Sequence, residues 1–462
     1  MKGKISFTIV LLIMACMLVS PAFAGIPGTA PEISSLSAII QPASNYPVIP
    51  HSIVPEITEV GKISLSIDAI GENTGSGSVI IVKPAGATVR SAYMAAATTG
   101  FSTHKLAAGD IKIDGTPVTW DIVDFPNSIQ SYNYFTDVTS IVKSKIDSAP
   151  AGDVSFAVSE VNTYAIDGEI LAVIFDDPAQ TTDNTVILLF GAQKTTGDAF
   201  NIGLASPIDK TDPNLNLDFS LGISFGSQPG LQYSQVEVNG QRLTTSAGGQ
   251  DDGADSNGAL ITVGGVGDTN ANPADPFRTD DAGSHYDDEL YDLLPFIANG
   301  DDLIQIGTLN PSNDDNIFFA ALNLRSVTAV VGEGIILSPS SDVNKPGEMH
   351  TLTAKVQDDL GNPVEGEDVT FTVSSGPNAG ITAMGMTDAN GEVMFSYTSV
   401  VEGTDTIIAS ITDDAGKTVY SNEATKTWKG DIVVPEFPTF ALPVSMVLGV
   451  VFLVYTFRGR KE

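Results

Sequence analysis

Carboxylates and amides crowd four short stretches of this chain: Asp251-Asp-Gly-Ala-Asp-Ser-Asn257, Asp280-Asp281, Asp287-Asp-Glu289 and Asp314-Asp-Asn316. Oxygen-rich loops of this kind suit calcium, a hard cation that takes about six to eight oxygen ligands from side chains and carbonyls. Clustered carboxylates without a counter-ion repel one another, so a bound cation would also order the loop. Asp251, Asp255, Asn257, Asp287, Asp288 and Asp314 are the candidate calcium ligands. No stretch completes an EF-hand loop. The competing reading is a set of solvated turns in which Asx side chains cap their own backbone.

Other chemistry is harder to build. Gly222-Ile-Ser-Phe-Gly226 has the G-x-S-x-G string of serine hydrolases, but that mechanism needs a strand, a strained turn at the serine and then a helix. Here the serine lies within an alternating strand and a Gly-Ser-Gln-Pro-Gly turn follows. The four histidines, His51, His104, His285 and His350, are scattered and form no paired metal motif. Two tryptophans, Trp120 and Trp428, are few for a lectin or glycanase. Trp120 is expected in a core and Trp428 near a membrane interface.

The elements that would hold such residues follow from composition. Twenty-two basic against 56 acidic residues give a net charge of −34. A chain this acidic repels nucleic acid and anionic lipid. Hydrophobic residues at 42% and charged residues at 17% exclude a disordered acidic tail. The 44 glycines and 26 prolines fit many turns. The one cysteine, Cys16, falls in the N-terminal apolar run, so the rest of the chain has no disulfide and no thiol chemistry.

Both ends carry targeting signals. Lys2 and Lys4, the apolar run 5–20 and Ala22-Phe23-Ala24 predict a secretory signal peptide over 1–24, cleaved after Ala24, with Ala22 and Ala24 as the small residues the peptidase requires. A poor lipobox ending at Cys16 is the alternative. Residues 440–457 carry no charge and, at ~1.5 Å per residue, reach about 27 Å, close to a hydrocarbon core. The basic tail 458–462 stays inside, which places the preceding chain outside. The linker 428–439 contains Pro435-Glu436-Phe437. That motif, the apolar helix and the basic tail together resemble the archaeal PEF-CTERM sorting signal. The resemblance implies processing by an archaeosortase-type enzyme that exchanges the helix for a lipid anchor. The alternative is a retained transmembrane helix.

Between the ends, the expectation is an all-β chain: a tandem β-sandwich head, an Ig-like β-sandwich, and one C-terminal transmembrane helix. Residues 25–56 read as a leader. Units at 57–180 and 181–328 form the head, the second with an acidic loop insertion. The runs 168–175 and 186–190 are continuously apolar, as strands buried on both faces must be. Helix is expected only at 139–145 and 289–297. Ile111-Lys-Ile-Asp-Gly-Thr-Pro-Val118 echoes Val236-Glu-Val-Asn-Gly-Gln-Arg-Leu243, so a duplicated unit is expected. Carried by Asn257-Gly-Ala-Leu-Ile-Thr-Val-Gly-Gly-Val-Gly-Asp268 and Asp287-Asp-Glu-Leu-Tyr-Asp-Leu-Leu-Pro-Phe296, residues 57–328 resemble domain of unknown function 3344 of archaeal surface proteins, for which no activity is established.

Residues 333–427 show strands every 8–12 residues with turns between them. The Asp-x-x-Gly-Asn-Pro-Val turn at 358–364, the Thr387-Asp-Ala-Asn-Gly391 hairpin and Gly403-Thr-Asp-Thr-Ile-Ile-Ala409 resemble a bacterial Ig-like domain of the invasin and intimin type. That resemblance implies a spacer or adhesive module without catalytic residues. The expectation is therefore a non-enzymatic protein of adhesion or envelope structure on the extracellular face of the cell membrane. It would have cell-surface or envelope partners, no nucleic acid, and no cofactor beyond calcium. The alternatives are a surface-tethered enzyme degrading polysaccharide or protein with acidic pairs as general acid and base, and a lattice-forming envelope protein.

Overall fold

The computed structural model describes residues 52–430, apart from 72–74, 101–103, 125–130, 195, 225–233, 248–260, 271, 273–288, 312–315, 359 and 413–417. The Val-, Ile-, Thr- and Phe-rich runs become strands. The first part of the head runs β1 (Val54–Gly61), β2 (Ile63–Ile70), β3 (Ser76–Lys83), β4 (Thr88–Thr98), β5 (Ile111–Ile113) and β6 (Thr116–Pro117). It continues with β7 (Ile122–Asp124), β8 (Asn133–Asp137), helix α1 (Thr139–Ser148), β9 (Gly152–Glu160) and β10 (Ile166–Asp176). The second part runs β11 (Asn184–Phe190), β12 (Ala199–Leu204), β13 (Asn216–Ser224), β14 (Ser234–Val238) and β15 (Gln241–Ala247). Then follow β16 (Ile261–Val263), β17 (Leu290–Asp292), β18 (Leu303–Leu309), β19 (Asn316–Arg325) and β20 (Ala329–Val331).

Apart from the edge strands β1, β7, β16 and β20, the second half repeats the sheet order of the first. An inner sheet ordered β2-β10-β4-β8-β7 is matched by β11-β19-β13, with β17 and β16 both on β13. An outer sheet ordered β3-β9-β5-β6 is matched by β12-β18-β14-β15. Local details agree. The β5–β6 turn is Asp114-Gly115 and the β14–β15 turn is Asn239-Gly240, with φ of 49° and 79° against 49° and 72°. Positive φ at both central residues is the two-residue hairpin geometry that matches strand twist. Asp114 Oδ1 accepts the Ala157 N–H at 3.0 Å, and Asn239 Oδ1 accepts that of Gln305 at 2.9 Å. Residues 54–61, divided in the sequence between leader and first unit, form β1 and pair with β11 of the second half.

Three cores stack these four sheets. One lies between outer and inner sheets of the first half, around Val79, Phe156 and Val173. A second does the same for the second half, around Phe219, Ile306 and Leu322. The third lies between the two inner sheets, joining Ile67, Ile170 and Ile174 to Val186, Leu188 and Phe319. So β10 is buried at every residue except Asp176, and β11 throughout. Each buried Val, Leu or Ile contributes about 1.5–3 kcal/mol of transfer energy.

Helix α1 forms where expected, burying Val142 and Ile146 one turn apart. Lys83 caps its C-terminus, donating to the carbonyls of Asp147 and Ala149 at 2.9 and 2.8 Å. The helix expected at 289–297 is replaced by strand β17 and a single 3-10 turn, Leu294–Phe296. The backbone there is used by sheet pairing with β13, and Pro295 restricts the turn that follows.

The third unit comprises β21 (Gly334–Ser338), β22 (Ser341–Asn344), β23 (Met349–Gln357), β24 (Asp368–Ser375) and β25 (Thr382–Met386). It ends with β26 (Glu392–Thr398), β27 (Gly403–Thr412), β28 (Thr418–Tyr420) and β29 (Ala424–Trp428). Sheets β21-β23-β26 and β22-β29-β27-β24-β25, with β28 on β27, enclose one core around Phe371, Phe395 and Ile407. Trp428 is in that core, 1% exposed, and not at an interface with lipid. Trp120 packs partly buried against the first half's core, its ring 5.3 Å from that of Tyr134. Among the described residues no helix is long and apolar enough to cross a membrane. The segment 440–457 lies outside them.

Candidate functional site

The predicted calcium ligands Asp251, Asp255, Asn257, Asp287, Asp288 and Asp314 lie outside the described residues, as do Ala22, Ala24, Pro435, Glu436 and Phe437. Among the described residues no three His, Cys, Asp or Glu side chains converge as a metal site would require. Ser224 of the hydrolase-like string ends β13, buried, with its Oγ accepting Asn316 Nδ2 at 2.7 Å. Asn316 also donates to Asn133 Oδ1 at 3.0 Å, and Asn133 donates to the Gly191 carbonyl at 2.7 Å. The serine is thus one member of a buried amide ladder that ties the two inner sheets.

In the third unit, Lys426 stands in direct register between Asp342 on β22 and Asp405 on β27. Its Nζ is 2.5 Å from Asp342 Oδ2, and His350 Nδ1 lies 3.2 Å from the same oxygen. Burial raises the Asp342 carboxyl, but the hydrogen bond and charge of Lys426 outweigh it and hold the group below its usual value. Burial and the Lys426 charge push His350 down, opposed by Asp342. Asp405, wholly buried, accepts from Trp428 Nε1 at 2.8 Å, Tyr397 Oη at 3.1 Å, and Asn378 Nδ2 and N at 2.7 and 2.9 Å. This arrangement satisfies buried charge and fixes the unit's core.

Two clefts remain. The first lies where the third unit meets the head, with a volume of about 360 Å³, lined by Asp183, Asp209, Asp212, Ser326 and Ser340 among others. The junction itself is tight. The chain passes from β20 in the head's outer sheet to β21 through Gly332 and Glu333 alone. Lys355 reaches back to the Leu204 carbonyl at 3.2 Å and to Asp302 at 3.4 Å. Gln357 donates to the Gly332 carbonyl at 2.8 Å, and the Ser340 hydroxyl bonds Asp183. The Gln357 amide lies against Gly203, where a Cβ would meet its Oε1 at 1.4 Å and force that side chain to move.

The second cleft opens at the seam between the inner sheets, with a volume of about 340 Å³. Its walls include Leu65, Val82, Val266 and Leu290, and its polar groups include Asp218 and Asn323. Asn270 and Asn216 donate to the two Asp218 oxygens at 2.6 and 2.5 Å. Burial pushes the Asp218 carboxyl up, helped by the charge of Asp292 and partly offset by those amides and by the nearby Arg325. Sequence reasoning missed Asp218 and Asn323 because each is one of several isolated polar residues alternating with apolar ones in an ordinary strand.

Residues 346–423 match the family described as the bacterial Ig-like domain (group 1). Among solved structures, the chain is similar to the PKD domain of an M14-like peptidase from a Thermoplasmatales archaeon, at 22% identity over 21% of this chain and 94% of that one, with a TM-score of 0.16. It is similar to the D0-D1 domain of intimin at 14% identity over 54% of this chain and 92% of that one, with a TM-score of 0.19. It is also similar to the major pilin subunit of Bacillus cereus at 8% identity over 78% of this chain and 63% of that one, with a TM-score of 0.12. At such scores these structural likenesses carry no argument about function. No curated protein matches in sequence.

Proposed function

We propose that the chain is a non-enzymatic cell-surface protein in which an Ig-like module serves as a stiff spacer holding the four-sheet head at a set orientation. The observation that carries this reading is the junction: two linking residues, the Lys355 and Gln357 bonds, and the Gly203 backbone pressed on the Gln357 amide. The Ig-like family match over 346–423 supports it. Export through the signal at 1–24 and anchoring through 435–462, by a retained helix or by archaeosortase-type exchange for lipid, would put the module next to the membrane. Adhesion or envelope structure is the work such a geometry suits.

Two measurements test it. Protease added to intact cells should digest the head while cytosolic markers survive; a full chain protected inside the cell would end the reading. Spin labels on the head and the module of the full chain should give a narrow distance distribution. Gly203→Leu, which drives a side chain into Gln357, should broaden it, whereas an already broad native distribution would remove the spacer role. Calcium is assigned to the loops carrying Asp251, Asp255, Asn257, Asp287, Asp288 and Asp314. Its addition should raise the melting temperature, and no shift would take the metal out of the account.

A further inference from the structure

The two halves of the head share a core topology, so positions on their common strands have counterparts. Near the seam the counterparts are set by identical local bonding. Asp137 Oδ1 accepts the Thr139 N–H at 2.7 Å, and Asp292 Oδ1 accepts the Leu294 N–H at 2.9 Å. The next residues agree: Val138 N–H donates to the Ala92 carbonyl and Leu293 N–H to that of Leu217, both at 2.9 Å. Tyr93 pairs with Asp137 and with Ala172; Asp218 pairs with Asp292 and with Asn323. Phe135 pairs with Ala95, and Leu290 pairs with Ser220. Tyr93 therefore corresponds to Asp218, Phe135 to Leu290, and Ala172 to Asn323.

The consequence is an asymmetry at the seam. In the first half, Tyr93 and Phe135 stack with ring centroids 5.5 Å apart, and Phe135 continues onto Phe190 at 5.2 Å. In the second half a carboxylate and a leucine replace those two rings, and the cleft of about 340 Å³ is what results. That volume falls at the small end of ligand sites, which run from about 300 to 1,000 Å³. Its apolar walls are aliphatic: Leu65, Val82, Val266 and Leu290.

Asp218 and Asn323 bring hydrogen-bond acceptors to this cleft. Asn323 Oδ1 is buried and has no hydrogen-bond partner among the described residues. Asp218 is held in place by two amide donors, which leaves further lone pairs on a desolvated carboxylate. A buried acceptor without a donor costs roughly 1–3 kcal/mol, which a ligand hydroxyl would recover. Asn270 and Asn216 already donate to one oxygen each of Asp218, and further neutral donors of the same kind fit the remaining lone pairs. Ser220 spends its hydroxyl on the Gly264 carbonyl, and Ser66 Oγ accepts the Val82 N–H at 3.0 Å.

We infer that this seam cleft binds one pyranose ring of a neutral sugar, with ring hydroxyls donating to Asp218 and Asn323 and C–H faces against Leu65, Val82 and Leu290. The ring takes the space that an aromatic pair fills in the other half. This goes beyond the spacer reading and does not rest on it: the cleft belongs to the head alone and survives any result at the junction.

Saturation-transfer NMR on the full chain tests it, with glucose, galactose, mannose and N-acetylglucosamine as probes. At least one should show transfer, with millimolar affinity. The double variant Asp218→Tyr/Leu290→Phe copies the aromatic pair into the cleft and should abolish that transfer. Asn323→Leu keeps the volume, removes the acceptor, and should weaken binding about tenfold; it decides the matter should the double variant fail to fold. No transfer with any of the four sugars overturns the assignment, as does binding unchanged in Asn323→Leu or persisting in a folded double variant.

Discussion

The head and the Ig-like module are both built from antiparallel sandwiches, yet they treat a central strand in opposite ways. In the module, β27 alternates strictly between buried Asp405, Ile407, Ala409 and Ile411 and more exposed neighbours. In the head, β10 and β11 are buried on both faces because a third core fills the space between inner sheets. A sandwich with one core can stand alone. Two sandwiches that share a third core gain its burial only together, so the halves of the head must fold as a single cooperative unit while the module remains separable.

The sharpest way to break this comparison is to place a charge at matched positions. Ile170, on β10, faces the shared core so closely that a Cβ on Gly222 would lie 2.4 Å from its Cδ1. Ile408, on β27, lies on the module's half-exposed outer face. Ile170→Asp should cost more than about 4 kcal/mol, since an unpaired charge buried there has no partner. It should lower both halves of the head together. Ile408→Asp should stay within about 1 kcal/mol. Differential scanning calorimetry reads both; separate melting of the two halves in Ile170→Asp would refute the shared-core account.

Much of this contrast was legible beforehand. The continuous apolar runs at 168–175 and 186–190 read as strands buried on both faces, and they are. Strand spacing of 8–12 residues with intervening turns marked the module as β-structure, and the Asp-Gly and Asn-Gly turns at 114–115 and 239–240 lie in hairpins at equivalent places. Burial on both faces, however, does not say which sheet supplies the second face, so the stacking of the halves and the capture of β1 by β11 were not legible. Glu289 to Ile297 read as helix because apolar spacing over so short a span fits either period; long-range pairing with β13 decided it. The seam cleft had no sequence signal of its own. It appears only when β13 is set beside β4 in three dimensions and Asp218 is found where Tyr93 would be.

A second contrast concerns buried carboxylates. Asp405 in the module receives four hydrogen bonds, while Asp167 in the head, 1% exposed, has no well-formed hydrogen bond to either oxygen among the described residues. The same residue type therefore has opposite value in the two regions. Asp405→Ala leaves the Trp428 indole N–H and the Tyr397 hydroxyl unpaired in a packed core. The expected loss is about 3 kcal/mol of module stability with the head's transition unmoved. Urea unfolding followed by Trp428 fluorescence measures it, and a loss below about 1 kcal/mol would mean that water replaces the carboxylate at no great cost.

The smallest effect, and the one that most sharpens the comparison, is the response to pH. Burial pushes Asp167 up from 3.8 to about 7, helped by the charge of Glu160 and only partly offset by Thr99. Burial likewise pushes Asp68 up to about 6, against the N–H groups of Ile80 and Ala69. An acid whose folded value is raised holds its proton more tightly in the folded chain. Each such group favours folding below its unfolded value near 3.8, and that advantage is lost as pH rises through the folded value. His350 runs the other way: a base held below 6.5 loses stability as pH falls through 6.5 toward its folded value. Asp342, held low by Lys426, adds a further loss to the module only below about pH 4. In the head, Asp147, Asp209 and Asp212 are also held low, and they oppose the gain only in that same acidic range. Between pH 8 and pH 5 the head should therefore melt higher and the module lower. Asp167→Asn removes the largest head contribution. It should raise the head's stability at pH 8 by roughly 2 kcal/mol and flatten its slope toward pH 5, leaving the module's slope as it was. A head transition whose pH slope is the same with and without the Asp167 carboxyl would show that the burial of that group is relieved in solution.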